Sequence, residues 1–249
     1  MTILSFENNF IFVKTRKVAG TSVEAALRPY TGPDDIVPCV TPRDEYYSAV
    51  KGHYSKNYAE NPDDEKRYTE LVLEKRFEEA MSFLKDMDKK HNSHMKISRI
   101  KRIVEERGLR LDDFYKFSIE RHPYNWVISS VSYSNRKYHQ GTLEPMEPQR
   151  ISALLERKLA DPSYLQARNW DMYAQDDKLL VDSLIRYEDL EVELVNTLRK
   201  IGLDASALVL PDLKTNVRHL DPDAILTKDM KTNIQMRFSK VFNVMGYVP

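Results

Sequence analysis

Residues 10–27 read FIFVKTRKVAGTSVEAAL, and this stretch decides the fold. Phe10–Val13 is a short run of aromatic and β-branched residues, the composition of a buried strand. From Val23 the residues VEAALRPY have helical character. Between them lies TRKVAGTS, so the segment reads strand, loop, helix. The loop Lys17-Val18-Ala19-Gly20-Thr21-Ser22 therefore opens a helix, where free backbone amides and the helix dipole attract an anion. Gly20 lets a phosphate approach the backbone, Thr21 and Ser22 add hydroxyl donors, and Lys17 adds a mobile cation. The other reading is a basic loop in which Thr21 or Ser22 merely caps the helix. The ATP-type loop GxxxxGK[ST] carries its lysine after the last glycine. Here Lys17 precedes Gly20, and the usual Mg²⁺ partner arrangement is missing.

Further along, Tyr115–Glu120 (YKFSIE) predicts a second strand. Arg121-His122-Pro123 then turns into a helix carrying Trp126, Val127, Ser130 and Tyr133. Arg121 stands at the carboxyl end of that strand, where ligands collect in parallel sheets, and its planar fork suits a phosphate. Ser129 lies about two turns into the helix and can face the same anion. The alternative is a strand–turn–helix corner with an exposed arginine. Leu179–Val181 and Leu184–Tyr187 read as further strands. Glu188–Ile201 reads as a helix with Leu190, Leu194, Leu198 and Ile201 on one face, stopped by Gly202. Ala224–Met245 looks helical, and Thr31–Pro42 is a proline-rich loop.

The charged stretch 61–107 carries Leu73, Phe77, Ala80, Met81, Leu84 and Met87 at helical spacing, then Ile97, Ile100 and Val104 in a second helix closed by Gly108. These are packing helices with a solvated face, or a lid over an acceptor pocket. Alternating strands and helices predict an α/β protein with a central parallel sheet flanked by helices. No linker interrupts the pattern. The expectation is one domain over residues 1–249, with about 60–110 a helical insertion or lid.

Lys plus Arg equals Asp plus Glu, 38 against 38. A protein that tracks a nucleic acid or long polyanion needs a basic excess, so nucleic acid is excluded and any anion site is local. The single cysteine, Cys39, forms no intramolecular disulfide and no Cys-based zinc site, which suits a reducing cytoplasm. The opening MTILSFENNFIFVK is too short and polar for a signal peptide, and no apolar run approaches the roughly 18 residues of a membrane helix. No HExxH or HxH pair occurs, so no metal is expected. His91, His94, His139 and His219 lie in no motif and read as surface or structural residues.

FIFVKTRKVAGTS resembles the 5′-phosphosulfate loop of PAPS-dependent sulfotransferases, a strand followed by PKTGGTS or KTAGTS. Lys17, Gly20, Thr21 and Ser22 match, while Arg16 replaces the proline and Val18-Ala19 replaces Thr-Gly. SIERHPYNWVISSVSYS resembles the family's 3′-phosphate segment through Arg121, Pro123-Tyr124 and Ser129, with His122 where Asn is frequent. LIRYEDLE, LPDLKTNVR and RFSKVFNVMGY resemble later family segments, and residues 60–110 are the least recognisable part.

The resemblance implies a P-loop NTPase-like sulfotransferase fold of soluble bacterial type. It implies PAPS as donor and 3′,5′-ADP as product. Residues 17–22 would hold the 5′-phosphosulfate, with Lys17 at the bridging oxygen. Arg121 and Ser129 would grip the 3′-phosphate, helped by Arg218. The general base would be His53, in VKGHYS, which resembles the family's GH[FY] segment; Glu24 on the first helix is the rival, and each has a purely structural alternative. The acceptor would be the hydroxyl or amine of a small, natural-product-like molecule. Tyr46, Tyr47, Tyr54 and Tyr58 around His53 either shape its pocket or are ordinary tyrosines. Three alternatives stay open: a glycan or protein acceptor, a P-loop NTP-dependent kinase with LLVD ending in Asp182, and a nucleotide-binding protein without catalysis.

Overall fold

The structure is a computed structural model describing residues 2–135, 137–139, 142–144, 146–161, 164, 169–206, 208–211, 213 and 220–249. Strands β1 (Ile3–Ser5) and β2 (Phe10–Val13) are followed by helix α1 (Gly20–Leu27). A helical stretch comes next: α2 (Pro42–Ala49), α3 (Pro62–Leu73), α4 (Phe77–Asp86) and α5 (Ile97–Glu106). Strand β3 (Tyr115–Glu120) leads into α6 (Pro123–Ser134). A hairpin of β4 (Lys137–His139) and β5 (Thr142–Glu144) precedes α7 (Pro148–Ala160). The short α8 (Trp170–Tyr173) and a hairpin of β6 (Ala174–Gln175) and β7 (Lys178–Leu179) lead to β8 (Ser183–Arg186). Helices α9 (Leu190–Lys200), α10 (Lys228–Arg237) and α11 (Ser239–Met245) follow.

The main sheet has the order β1-β2-β3-β8. Strands β2, β3 and β8 are parallel, and β1 runs antiparallel to β2. The protein is thus α/β, but its sheet is mixed rather than wholly parallel. The three-residue β1 is too short to show a pattern, and a tight turn suffices to join an antiparallel pair. Asn9 makes that turn at φ 50°.

Both faces of the sheet are covered. On one side Phe10 and Phe12 of β2 and Phe117 and Ile119 of β3 meet Val23 and Leu27 of α1 and Leu190, Leu194 and Leu198 of α9. The Phe12 and Phe117 rings stack with centroids 5.4 Å apart. On the other side Ile11 and Val13 pack on α5, α6, α7, α10 and α11. Burial on both sides explains why β2 is apolar at every position. The same face of β3 carries Lys116, Ser118 and Glu120, all buried. Burying them requires partners: Ser118 Oγ donates to the Val13 carbonyl at 2.7 Å, and Lys116 Nζ lies 2.9 Å from Asp182.

The helical stretch is not one unit. Helices α2, α3 and α4 form a separate small core around Tyr58, Tyr68, Leu71, Val72 and Ala80, whereas α5 joins the main core. The single helix expected through Leu73 and Phe77 breaks between them, because Lys75 turns left-handed at φ 59°. Helix α2, which the sequence reading did not anticipate, begins at Pro42, the last residue of the expected loop and a favoured first helical residue. Leu179 belongs to a hairpin rather than the sheet, and the C-terminal helix is divided at Phe238. Among the described residues no helix is long and apolar enough to cross a membrane.

Candidate functional site

The parallel strands end together at Val13, Glu120 and Arg186, with Glu120 in register with Arg186. The loops that follow them share one edge of the sheet, the edge where α/β proteins bind ligands. After Val13 the chain is pinned at several points. Thr15 Oγ1 donates to the Ile119 carbonyl at 2.5 Å. Asn169 accepts the Arg16 amide at 2.8 Å and donates to its carbonyl at 3.0 Å, and Trp126 Nε1 donates to that carbonyl at 2.9 Å.

These anchors hold an unfavourable backbone. Lys17 and Ala19 are left-handed, at φ 65° and 53°. For residues other than glycine such conformations cost about 1–3 kcal/mol each, and they cluster at ligand sites. Ala19 is followed directly by helical Gly20, and this pairing turns successive amides into one concavity suited to anions. The Gly20 and Thr21 amides at the start of α1 have no intrahelical partner, whereas the Ser22 amide donates to the Ala19 carbonyl at 2.9 Å. Neither Thr21 nor Ser22 caps the helix: no side chain bonds the cap. Ser22 Oγ instead accepts the Leu213 amide at 3.3 Å, and Val18 is fully buried in the core beneath the sheet. Val18 and Ser22 thus shape the loop from below, leaving backbone groups and Lys17 on its upper side.

The second motif meets the first. Arg121 Nη1 donates to the Lys17 carbonyl at 3.4 Å, across 104 positions of sequence. Its guanidinium lies 4.4 Å from the centre of the Tyr187 ring. Arg121 Nε is buried with no hydrogen-bond partner among the described residues. Burial pulls its pKa down, the mark of a cation short of solvation, yet an arginine stays charged at neutral pH. Ser129 is buried on α6, and one turn on, the Tyr133 ring carries Lys17 Nζ 3.6 Å from its centre. Residues four apart share a helix face, so Ser129 stands on the face of α6 that meets the loop.

Beneath the loop lies a buried carboxyl group. Glu120 accepts from Tyr173 Oη at 2.6 Å, from Asn169 Nδ2 at 3.1 Å and from the Arg121 amide at 3.0 Å. Burial pushes its pKa up to about 7, and these donors only partly offset it. A group raised from 4.5 to about 7 stabilises the fold fully below 4.5, and the stabilisation is lost as pH rises to 7. The loss is on the order of 3 kcal/mol. Glu120→Gln removes the ionisation, so its urea midpoint should fall less than the wild type's between pH 5 and 8. Parallel curves for the two proteins would place the pH dependence elsewhere.

Of the two base candidates, Glu24 lies in a buried ionic array that His53 joins only through its backbone carbonyl, its side chain being half-buried. Glu24 is fully buried; burial alone would raise its pKa, but neighbouring cations, Arg28 and Lys14 among them, hold it down at about 2. Arg28 Nε donates to Glu24 at 2.7 Å, its Nη atoms reach Glu45 at 2.7 and 2.8 Å, and Nη1 donates to the His53 carbonyl at 3.1 Å. Burial, then Lys56, Arg28 and Lys51, lower the His53 pKa, so its ring is neutral at pH 7. The tyrosines near it do not converge: Tyr58 sits in the small helical core, and Tyr54 is exposed.

Several residues of the site carry no sequence signal. Asn169, Trp126, Tyr133 and Tyr187 reach it only through the fold. Lys14 lies buried against Gly20, and His94 Nδ1 is 3.2 Å from the Lys14 carbonyl, so that nitrogen carries the proton. Asp182 precedes β8 and is engaged by Lys116 at the opposite edge of the sheet from the loop. Arg218, His219 and the His139 side chain lie outside the described residues. Compared with family models, curated proteins and solved structures, the chain matches none.

Proposed function

We propose that the chain is a PAPS-dependent sulfotransferase acting on a hydroxyl or amine of a small-molecule acceptor, in a reducing cytoplasm. One observation carries the reading: the left-handed loop at Lys17 and the half-buried Arg121 meet at the carboxyl edge of the sheet, with the buried Arg121 Nε unpartnered among the described residues. A donor with two separated phosphate groups supplies one anion for each. The loop amides and Lys17 take the 5′-phosphosulfate, and Arg121 and Ser129 take the 3′-phosphate. ATP has nothing to offer Arg121 in that role, and Asp182 lies on the wrong edge to serve as a Mg²⁺ ligand.

In the transfer, the donor's S–O bond breaks and its electron pair stays on the 5′-phosphate oxygen. A new bond joins sulfur to the acceptor's oxygen or nitrogen, and the acceptor's proton leaves to a base. Charge on the leaving oxygen needs a cation, which Lys17 supplies. His53, neutral at pH 7, is the better proton acceptor. Glu24, held at about 2 by its cations, is a weak base.

Calorimetric titration with 3′,5′-ADP, ADP and ATP, without Mg²⁺, tests this. The expected result is a clear preference for 3′,5′-ADP, kept in His53→Ala while turnover is lost. Equal affinities, or Mg²⁺-dependent ATP binding, would overturn the reading.

A further inference from the structure

Lysine 14 is the first residue beyond β2 and only 7 % exposed. Its chain crosses directly beside Gly20: a Cβ built there would come 2.7 Å from Lys14 Cε and 2.9 Å from Cγ. Its Nζ lies 3.4 Å from Thr21 Oγ1 and 3.9 Å from Glu24 Oε2. The ammonium is therefore buried beside the first turn of α1. That end of a helix favours anions and disfavours cations. Glu24 balances part of that charge from 3.9 Å, while Thr21 Oγ1 sets the ammonium beside the first turn, where a bound anion would be a second counter-charge.

We infer that Lys14 is a second anion-binding cation of the donor loop, placed to neutralise the 5′-phosphate as the sulfuryl group departs. This rests on the sulfotransferase reading and deepens it. Lys17 extends over Tyr133 on one side of the loop, and Lys14 approaches from the strand side beneath Gly20. The glycine at position 20 acquires a second reason: besides close approach of a phosphate, it leaves the passage through which Lys14 reaches Thr21. Hydrogen bonding of His94 to the Lys14 carbonyl fixes the start of that passage. No proton transfer is required of Lys14; it acts by charge alone.

The test is calorimetry of the wild type, Lys14→Met and Lys14→Gln with 3′,5′-ADP and with adenosine 3′-phosphate, which lacks the 5′ group. Thermal unfolding of each variant is measured alongside. Lys14→Gln keeps a polar end beside Thr21 and Glu24 and guards against simple loss of folding. Losing a charge-assisted contact should weaken 3′,5′-ADP about ten- to a hundred-fold and leave adenosine 3′-phosphate unchanged. Unchanged 3′,5′-ADP affinity in a folded variant, or equal loss for both nucleotides, would overturn the role of Lys14 and leave the donor assignment standing. A wild type that does not prefer 3′,5′-ADP over ATP would instead bring down the sulfotransferase reading, and the inference with it.

Discussion

Arg28→Met should lower stability by about 3–5 kcal/mol, the range found when one partner of a buried ion pair is removed. Arg28 is 2 % exposed and holds two carboxylates, Glu24 and Glu45, themselves buried. It also bonds Ser55 Oγ at 3.0 Å and the His53 carbonyl. Methionine fills much of the volume but leaves Glu24 and Glu45 facing each other without this cation. Arg28 helps to hold the Glu24 pKa down, so without it protonation of Glu24 becomes easier and the defect should shrink at low pH. Arg28→Lys should fall between, since one ammonium cannot reproduce a fork that serves two carboxylates. Urea unfolding at pH 7 and pH 5 reads both effects. A midpoint unmoved at pH 7 would show that the array contributes nothing to the fold.

Arg121→Ala should have the opposite profile. Its guanidinium is desolvated, and its Nε lacks a partner among the described residues, so removing it costs the free protein little. Binding of 3′,5′-ADP should fall by about 2–4 kcal/mol, roughly 30- to 1,000-fold, as for a buried charged contact. The urea midpoint should move little. Arg121→Lys should recover part of the affinity, because it restores charge without the planar fork. Wild-type affinity in Arg121→Ala would remove Arg121 from the anion site. A large fall in the midpoint would recast it as a structural residue.

The two central strands were readable to the residue, because β2 and β3 are short β-prone runs bounded by polar loops. The meeting of the two motifs was legible only in part. Each could be seen along the chain, but the contact between Arg121 and the Lys17 carbonyl comes from the parallel register of β2 and β3. Lys14 was not readable: a lysine after a strand looks like a solvated end, and only packing against Gly20 buries it. Arg28 is a partial case: Glu24 stands four residues before it, but its second carboxylate, Glu45, arrives from α2 only through the fold. The break between α3 and α4 escaped because apolar spacing continues across it, while the left-handed Lys75 leaves no compositional mark. Helix α2 was hidden by its polar sequence, PRDEYYSA.

The hydrogen bond from Ser118 to the Val13 carbonyl spans 105 positions. Closing a chain segment of that length costs roughly 4 kcal/mol of entropy before any contact repays it. Among the helices between the strands, α2, α3 and α4 are close in sequence and share a core of their own. Local contacts form ahead of distant ones, so this helical stretch can consolidate before β2 finds β3. The loop at Lys17 and the arginine at 121 come together only in that last pairing. A partly folded chain therefore carries helices but not the proposed anion site, and any affinity for 3′,5′-ADP would report on completion of the sheet.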